Sequence, residues 1–268
     1  MRKLRRSLLK KLVRIIFIVN GFGNIFKHLS VHGHGNKPAV YIKHFTVKCN
    51  DKQYIIALGI NVLQRKKLKN AIAHEQVIGR AYRNFYKINK SVKSGRFLFI
   101  DYAIYNYFDD ATMFSGDKDF EYALTAAQSV YEHAKYYEIT DANVDDFIIQ
   151  NIQIIIPHIK TAEIINQPTY RDCRAALLQV GRIKCAAQHG DYNLPNMLKH
   201  GKDYYLVDLE RTMPNMIASY DWYHLLKGNK NGWSNPVSSP EMENVPNSHI
   251  LKLFMDIFIG KGARHHDK

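Results

Sequence analysis

The residues with the clearest chemistry lie between positions 187 and 210, in AQHGDYNLPNMLKHGKDYYLVDLE. Asp191 and Asp208 are carboxylates and Asn196 is an amide, so all three offer oxygen donors. Asp191 and Asn196 precede, and Asp208 follows, two short strand-like runs at 197–199 and 204–207, joined by the turn-forming His200-Gly201-Lys202-Asp203. A hairpin over these runs brings its two ends together and lets the three side chains converge. Two carboxylates and an amide suit a hard cation such as Mg²⁺, which completes its shell with waters and substrate phosphates. Phosphoryl transfer is the chemistry such a set can serve, because it needs charge neutralisation and an aligned hydroxyl more than a covalent nucleophile. The plainer reading makes Asp191 and Asn196 turn residues and Asp208 a strand-end cap. The arrival of all three around one hairpin favours the site.

The rest of the chain must supply a frame for that hairpin. Residues 39–58 read as two strands around an Asn50-Asp51 turn, 63–87 as a long helix, and Arg96-Phe97-Leu98-Phe99-Ile100 as a strand of buried character. Helical patterns follow at 120–137, at 144–159 up to Pro157, and at 170–186; the Ile-rich 148–156 reads as core. A small sheet with one helix, followed by mostly helix, predicts an α+β chain in two lobes: a basic amphipathic helix over 1–30, a first lobe over 31–105 and a second over 106–268. The aromatic segment Tyr102 to Tyr107 is expected to link the lobes and border an adenine pocket, and Trp222 to pack beneath the hairpin's entering loop. Trp233 is a loop residue open to stacking on a substrate ring.

His189-Gly190-Asp191-Tyr192-Asn193-Leu194-Pro195-Asn196 resembles the H-G-D-x-x-x-x-N catalytic loop of the aminoglycoside phosphotransferase and choline kinase group, relatives of the protein kinases. Asp208-Leu209-Glu210 is similar to that group's metal-binding D-F/W-E segment, and Tyr220-Asp221-Trp222 to its Y-D-L segment. The resemblance spans residues 39–225 and is firmest over 187–222. It implies a protein-kinase-like fold, with a small antiparallel sheet and helix followed by a larger helical part, and an enzyme using ATP and Mg²⁺. Asp191 would accept the substrate hydroxyl proton, Asn196 and Asp208 would hold Mg²⁺, His189 would brace the loop, and Asp221 would anchor it through backbone hydrogen bonds.

The amino-terminal half departs from the family. Glu75 takes the place of the helix glutamate that pairs with a strand lysine gripping the nucleotide phosphates, but aligning 53–58 with the family's strand puts Ala57 at the lysine position. With Asn50-Asp51 as the turn, His44 pairs with Ala57 and Lys48 with Gln53, on one face of the hairpin. Lys48, His44, Lys66 and Lys67 are candidate replacements; a shifted alignment selects Lys43. Gly33-His34-Gly35-Asn36 is only weakly similar to a glycine-rich phosphate cover.

Asp221-Trp222-Tyr223-His224 also looks like the kinase-like proteins of bacterial surface-polysaccharide and lipopolysaccharide assembly. The implied acceptor is then a hydroxyl on a non-protein molecule, preferably a sugar of a cell-envelope glycan. One alternative is a small-molecule kinase of the aminoglycoside or choline type, with Asp109-Asp110, Asp117, Asp119 and Asp145-Asp146 facing a cation. Another, raised by Ala57, is a catalytically impaired binding module.

The charge of +14 is unevenly placed: residues 1–70 carry 16 Lys/Arg and one acid, Asp51, and the remainder is close to neutral. MRKLRRSLLKKLVRIIFIVNGFG places Leu4, Leu8, Leu12, Ile15, Ile16 and Val19 on a helical stripe with cations largely beside it, which suits an anionic membrane surface or a helix packed on its own protein. Its apolar run is too short to span a bilayer and no signal cleavage site follows. The basic segment lacks interleaved aromatics, so no specific nucleic-acid partner is expected. Three cysteines without C-x-x-C spacing exclude a disulfide framework and a thiolate zinc site, and His32-Gly33-His34 lacks companions for a metal. The expected location is the cytoplasm, extending to the inner face of the cytoplasmic membrane.

Overall fold

The computed structural model describes residues 2–22, 26–30, 42–49, 52–228 and 240–262; Gly33-His34-Gly35-Asn36, the Asn50-Asp51 turn and Trp233 lie outside the described residues. In chain order the elements are α1 Arg2–Val19, β1 Phe26–Ser30, β2 Lys43–Cys49, β3 Lys52–Gly59, α2 Val62–Ala81, β4 Lys87–Ile88, β5 Ser91–Phe97, β6 Ile100–Asn106, β7 Thr112–Met113, α3 Asp117–Glu132, β8 Lys135–Glu138, α4 Val144–Ile155, α5 Thr161–Ile165, α6 Pro168–Val180, β9 Arg182–Gln188, β10 Met197–His200, β11 Asp203–Leu206, β12 Met213–Ile217, α7 Tyr220–Gly228, α8 Pro240–Glu243 and α9 Ser248–Gly262. They form two compact units, Met1–Ala73 with Asn89–Ala111, and His74–Ile88 with Thr112–Lys268.

The first unit is built on an antiparallel sheet ordered β1-β2-β3-β6-β5. The β2–β3 register pairs Lys43 with Leu58, His44 with Ala57 and Lys48 with Gln53, as the turn arithmetic expects. Strand alternation then sorts the side chains. Phe45, Val47, Ile56, Leu58, Ile100, Tyr102 and Ile104 form one face, covered by Val13, Ile16 and Phe17 of α1. Ala57 and Ala103 form the other, covered by Leu68 of α2. Each fully buried Val, Ile, Leu or Phe contributes about 1.5–3 kcal/mol, so α1 is an integral part of this unit. Its end is pinned where Asn20 and the Tyr102 hydroxyl hydrogen-bond at 2.9 Å, and Gly21, at φ 80°, turns the chain out of the helix.

Two expectations fail here. Arg96 to Ile100 is not one strand: Arg96 and Phe97 end β5, Ile100 opens β6, and Leu98-Phe99 between them are the tight turn of the hairpin, with Leu98 at φ 53° and Leu98 and Phe99 72% and 65% exposed. Tyr102 to Asn106 are no linker, since they run through β6 beside β3 within the first unit, and Tyr107 directly follows that strand. An unbroken apolar run cannot report a turn whose cause is the pairing of its flanks.

The second unit holds two more sheets, β12-β9-β8 and β4-β11-β10-β7. Ile148 and Ile152 of the Ile-rich α4 are fully buried, in one cluster with Cys173, Leu177, Phe254 and Ile257. Three helices stop earlier than their patterns suggest. α2 ends at Ala81, α3 at Glu132 and α6 at Val180, and the residues beyond α3 and α6 become β8 and β9. Gly181 in the left-handed region (φ 66°) ends α6, and the alternating burial of Ile183, Cys185 and Ala187 marks the strand that follows.

Candidate active site

β9 is the middle strand of its sheet and ends at Gln188, feeding the loop His189-Gly190-Asp191. Gly190 has φ 81°, and a Cβ there would lie 2.1 Å from the carbonyl oxygen of Arg211, so only glycine lets the loop pass this close to the chain behind Asp208. Asp221, in the first turn of α7, is fully buried and accepts from the backbone N–H of His189 at 2.5 Å, from that of Gly190 at 3.0 Å and from the Tyr82 hydroxyl at 2.6 Å. A carboxylate in the first turn also lies at the favourable end of the helix dipole. The Asp221 N–H donates to Gln188 Oε1 at 2.8 Å, so α7 and the strand end hold each other.

His189 is fully buried and joins the two ends of the hairpin: Nε2 donates to the Val207 carbonyl at 2.8 Å, and Nδ1 accepts from the Asp191 N–H at 3.3 Å. Since a carbonyl only accepts and an amide N–H only donates, the ring carries its proton on Nε2. β10 and β11 pair from Met197–Leu206 to His200–Asp203, and the Val207 N–H donates to the Asn196 carbonyl, so residues 196 and 207 are neighbours. Asn196 Nδ2 donates to the Asp191 carbonyl at 2.8 Å, which commits the amide nitrogen to the loop and leaves the amide oxygen as the lone-pair donor. Asp208 is exposed and holds the left-handed conformation (φ 62°, ψ 56°), which a non-glycine residue adopts at a cost.

The Asp191 carboxylate is fixed at both oxygens. Asn193 Nδ2 donates to Oδ1 at 3.1 Å; His224 Nε2 lies 3.8 Å from Oδ1 and Arg211 Nη1 3.6 Å from Oδ2. Burial works against the charge of Arg211, but Asp191, Glu210 and Asp208 outweigh it and hold the guanidinium above its ordinary range. Three carboxylates thus act on one guanidinium. For His224 burial wins: the ring is held below the ordinary histidine range although Asp191 pulls the other way, and its Nδ1 faces the Tyr192 carbonyl at 3.1 Å.

Beneath the loop, Tyr192 is fully buried, stacks on Tyr82 with centroids 5.4 Å apart, and donates its hydroxyl to the Ala123 carbonyl at 2.9 Å. Trp222, expected in this place, instead packs edge-on to Tyr131 and against the large core cluster.

A divalent cation fits the donor chemistry of this end of the hairpin. Asp208, Asn196 and Asp191 are hard oxygen donors, and a single guanidinium leaves the carboxylates in excess. Among the described residues no three His, Cys, Asp or Glu side chains form a closed metal cage. A cation here would take two protein oxygens and fill its shell from water and phosphate, as Mg²⁺ does.

Of the other nominated residues, Glu75 is buried on α2 in the second unit, whereas Lys43 and Lys48 lie on β2 in the first. Lys66 is exposed, Lys67 is buried, and Ala57 is 1% exposed. The sequence reading missed Tyr82 and gave Arg211 and His224 no role. Arg211 directly follows Asp208-Leu209-Glu210 and His224 ends a quoted motif, but 139 residues separate Tyr82 from Asp221 and nothing local marks that pairing. Two acids suggested for a cationic substrate are engaged internally: Asp119 with Lys199 at 2.6 Å, and Asp145 with Arg174 at 3.0 Å and with the Tyr170 hydroxyl.

No protein-family model and no curated protein sequence matches the chain. Solved structures do. Choline kinase LicA from Streptococcus pneumoniae is 15% identical with TM-score 0.55, covering 97% of this chain and 92% of that one. Aminoglycoside phosphotransferase APH(4)-Ia is 12% identical with TM-score 0.57, covering 90% and 88%. A thermostable mutant of the same phosphotransferase, solved as a ternary complex with AMP-PNP and hygromycin B, is 13% identical with TM-score 0.54, covering 90% and 88%. The chain therefore has the α+β, protein-kinase-like fold that its motifs resemble.

Proposed function

We propose that this protein is a phosphotransferase that moves the terminal phosphoryl group of ATP to a hydroxyl of a non-protein acceptor. The observation that carries this reading is the placement of Asp191: its backbone is clamped by Asn196 and by the Asp221-anchored loop, and its two carboxylate oxygens are set against Asn193 and Arg211. Asp191 accepts the proton of the acceptor hydroxyl. Arg211 and Asn193 fix the orientation of that carboxylate, and His189 keeps residues 189–191 in register with Val207. Asp208 and the amide oxygen of Asn196 would hold Mg²⁺, which when bound neutralises charge on the nucleotide phosphates. That nucleotide and acceptor occur together in the ternary complex of the phosphotransferase supports ATP as donor and a small hydroxyl compound as acceptor. Lys43, Lys48 and Glu75 are the proposed nucleotide-contacting residues.

The preferred acceptor is a sugar of a cell-envelope glycan of the lipopolysaccharide type, presented at the inner face of the membrane. It is favoured over choline or an aminoglycoside by the strong positive charge of residues 1–70 and by the internal pairing of Asp119 and Asp145. The test incubates the protein and Mg²⁺ with labelled ATP and, separately, a membrane glycolipid fraction, choline and aminoglycosides. Label is expected in the glycolipid, with a loss of at least about 10³-fold in Asp191→Ala at unchanged fold. A fully active Asp191→Ala protein refutes the assignment. Ala57 at the lysine position favours a second reading, a nucleotide-binding module without turnover; Mg²⁺-dependent thermal stabilisation by nucleotide with no labelled product in any arm selects it.

A further inference from the structure

Helix α1 carries two apolar faces, and its own fold uses one. Leu9, Leu12, Val13, Ile16 and Phe17 pack into the cluster over the sheet. Leu8, Ile15, Ile18 and Val19 remain 70%, 43%, 47% and 67% exposed. The stripe read from the sequence is thus divided: Leu12 and Ile16 pack on the core, while Leu8, Ile15 and Val19 are left in solvent. These three residues follow a spacing of seven and four, so they align on one side of the helix. Lys10, Lys11 and Arg14 are exposed along the flank between this strip and the buried face, and the helix carries no acid. A partner helix could also cover an apolar strip. The cations beside it, in a segment of 70 residues with one acid, favour a polyanionic surface.

We infer that α1 docks the first unit onto an anionic phospholipid bilayer. Leu8, Ile15 and Val19 enter the boundary between headgroups and acyl chains, and Lys10, Lys11 and Arg14 meet lipid phosphates. The helix lies in the plane of the surface because its other apolar face stays on the protein core, and no helix among the described residues is long and apolar enough to cross a membrane. This deepens the reading of a membrane-borne acceptor and rests on that reading for its purpose; its evidence is separate, and so is its test.

The full chain, without nucleotide, is sedimented with phosphatidylcholine vesicles and with vesicles carrying roughly 30% phosphatidylglycerol, at low salt and at about 0.5 M NaCl. Binding is expected to the anionic vesicles only, with release by salt. The triple variant K10Q/K11Q/R14Q loses roughly a hundredfold in partitioning, at about fivefold per cation. L8Q/I15Q/V19Q loses roughly tenfold or more, with an unchanged urea midpoint because these side chains lie outside the core. A single variant, I15W, reports insertion directly through a blue shift of its fluorescence on anionic vesicles, which covers the case of a triple variant that fails to fold. Equal binding to neutral and anionic vesicles, triple variants that bind like the unmodified chain, or an unshifted I15W spectrum each overturns the inference. Label transfer from ATP is measured separately, so a failed docking surface and a failed phosphotransferase are distinguishable.

Discussion

Gly190 and Gly201 both sit at positive φ, 81° and 58°, yet the surroundings make Gly190→Ala and Gly201→Ala very different perturbations. At Gly201, in the turn of the β10–β11 hairpin, a Cβ meets nothing within 4 Å. The only cost is that of placing an L residue in the left-handed region, about 1–2 kcal/mol. At Gly190 the same backbone cost applies, and in addition the new Cβ falls 2.1 Å from the Arg211 carbonyl oxygen and 2.9 Å from its carbon. Neither contact can be relieved by rotating a side chain, so the loop or the turn at Leu209–Arg211 must move by about 1 Å, adding roughly 1–3 kcal/mol as in other overpacked sites. Gly190→Ala is therefore expected to cost about 2–5 kcal/mol in total. Because the displaced segment carries Asp191 away from Arg211, turnover falls by roughly a hundredfold in whatever protein remains folded. Urea titrations at constant m read the first quantity, and labelled-ATP turnover under conditions where both variants are folded reads the second. If Gly190→Ala is as stable and as active as Gly201→Ala, the close passage of these two segments does not position the loop, and the argument built on it fails.

Three further outcomes are expected. Tyr82→Phe removes one donor from the buried Asp221 carboxylate without opening a cavity and lowers stability by about 1.5–3 kcal/mol, as for hydrogen bonds to charged groups; a urea midpoint equal to that of the unmodified chain would falsify the anchoring role of this pair. His224 has a folded-state pKa below its ordinary value because burial penalises the charged ring. The unfolded chain then binds the proton that the folded one refuses, so stability falls as pH drops below about 6.5, and His224→Gln flattens that dependence by up to about 1.4 kcal/mol per pH unit; equal slopes in the two proteins count against it. Burial pushes the Cys173 and Cys185 thiols up to about 12. Mass mapping should find neither labelled by a maleimide at pH 8 in the folded protein, and both labelled in urea; labelling of either in the native state contradicts the packing around it.

Local patterns made the candidate site legible. The β10–β11 hairpin is written in two short strand runs and a glycine turn, and closing it makes residues 196 and 207 neighbours. The β2–β3 register followed from a turn position and the period of two. Helix α1 was visible as a helix too, because its apolar spacing is strong.

What tertiary structure decided is which surfaces meet. A helix with apolar residues on two sides does not declare which side is buried; the sheet face of Phe45, Ile56, Leu58 and Ile104 selected Val13, Ile16 and Phe17 and left Leu8 and Val19 in solvent. The run from Arg96 to Ile100 is broken by a turn at Leu98-Phe99 because its two ends pair with each other. The loop that presents Asp191 is held by Tyr82, 139 residues before Asp221, and by the carbonyl of Arg211 against Gly190. By itself the sequence determined which side chains are candidates for the site and the hairpin that gathers them, since both depend on neighbours along the chain. The fold determined their exact setting, because burial and close contact between distant segments exist only once the core has closed.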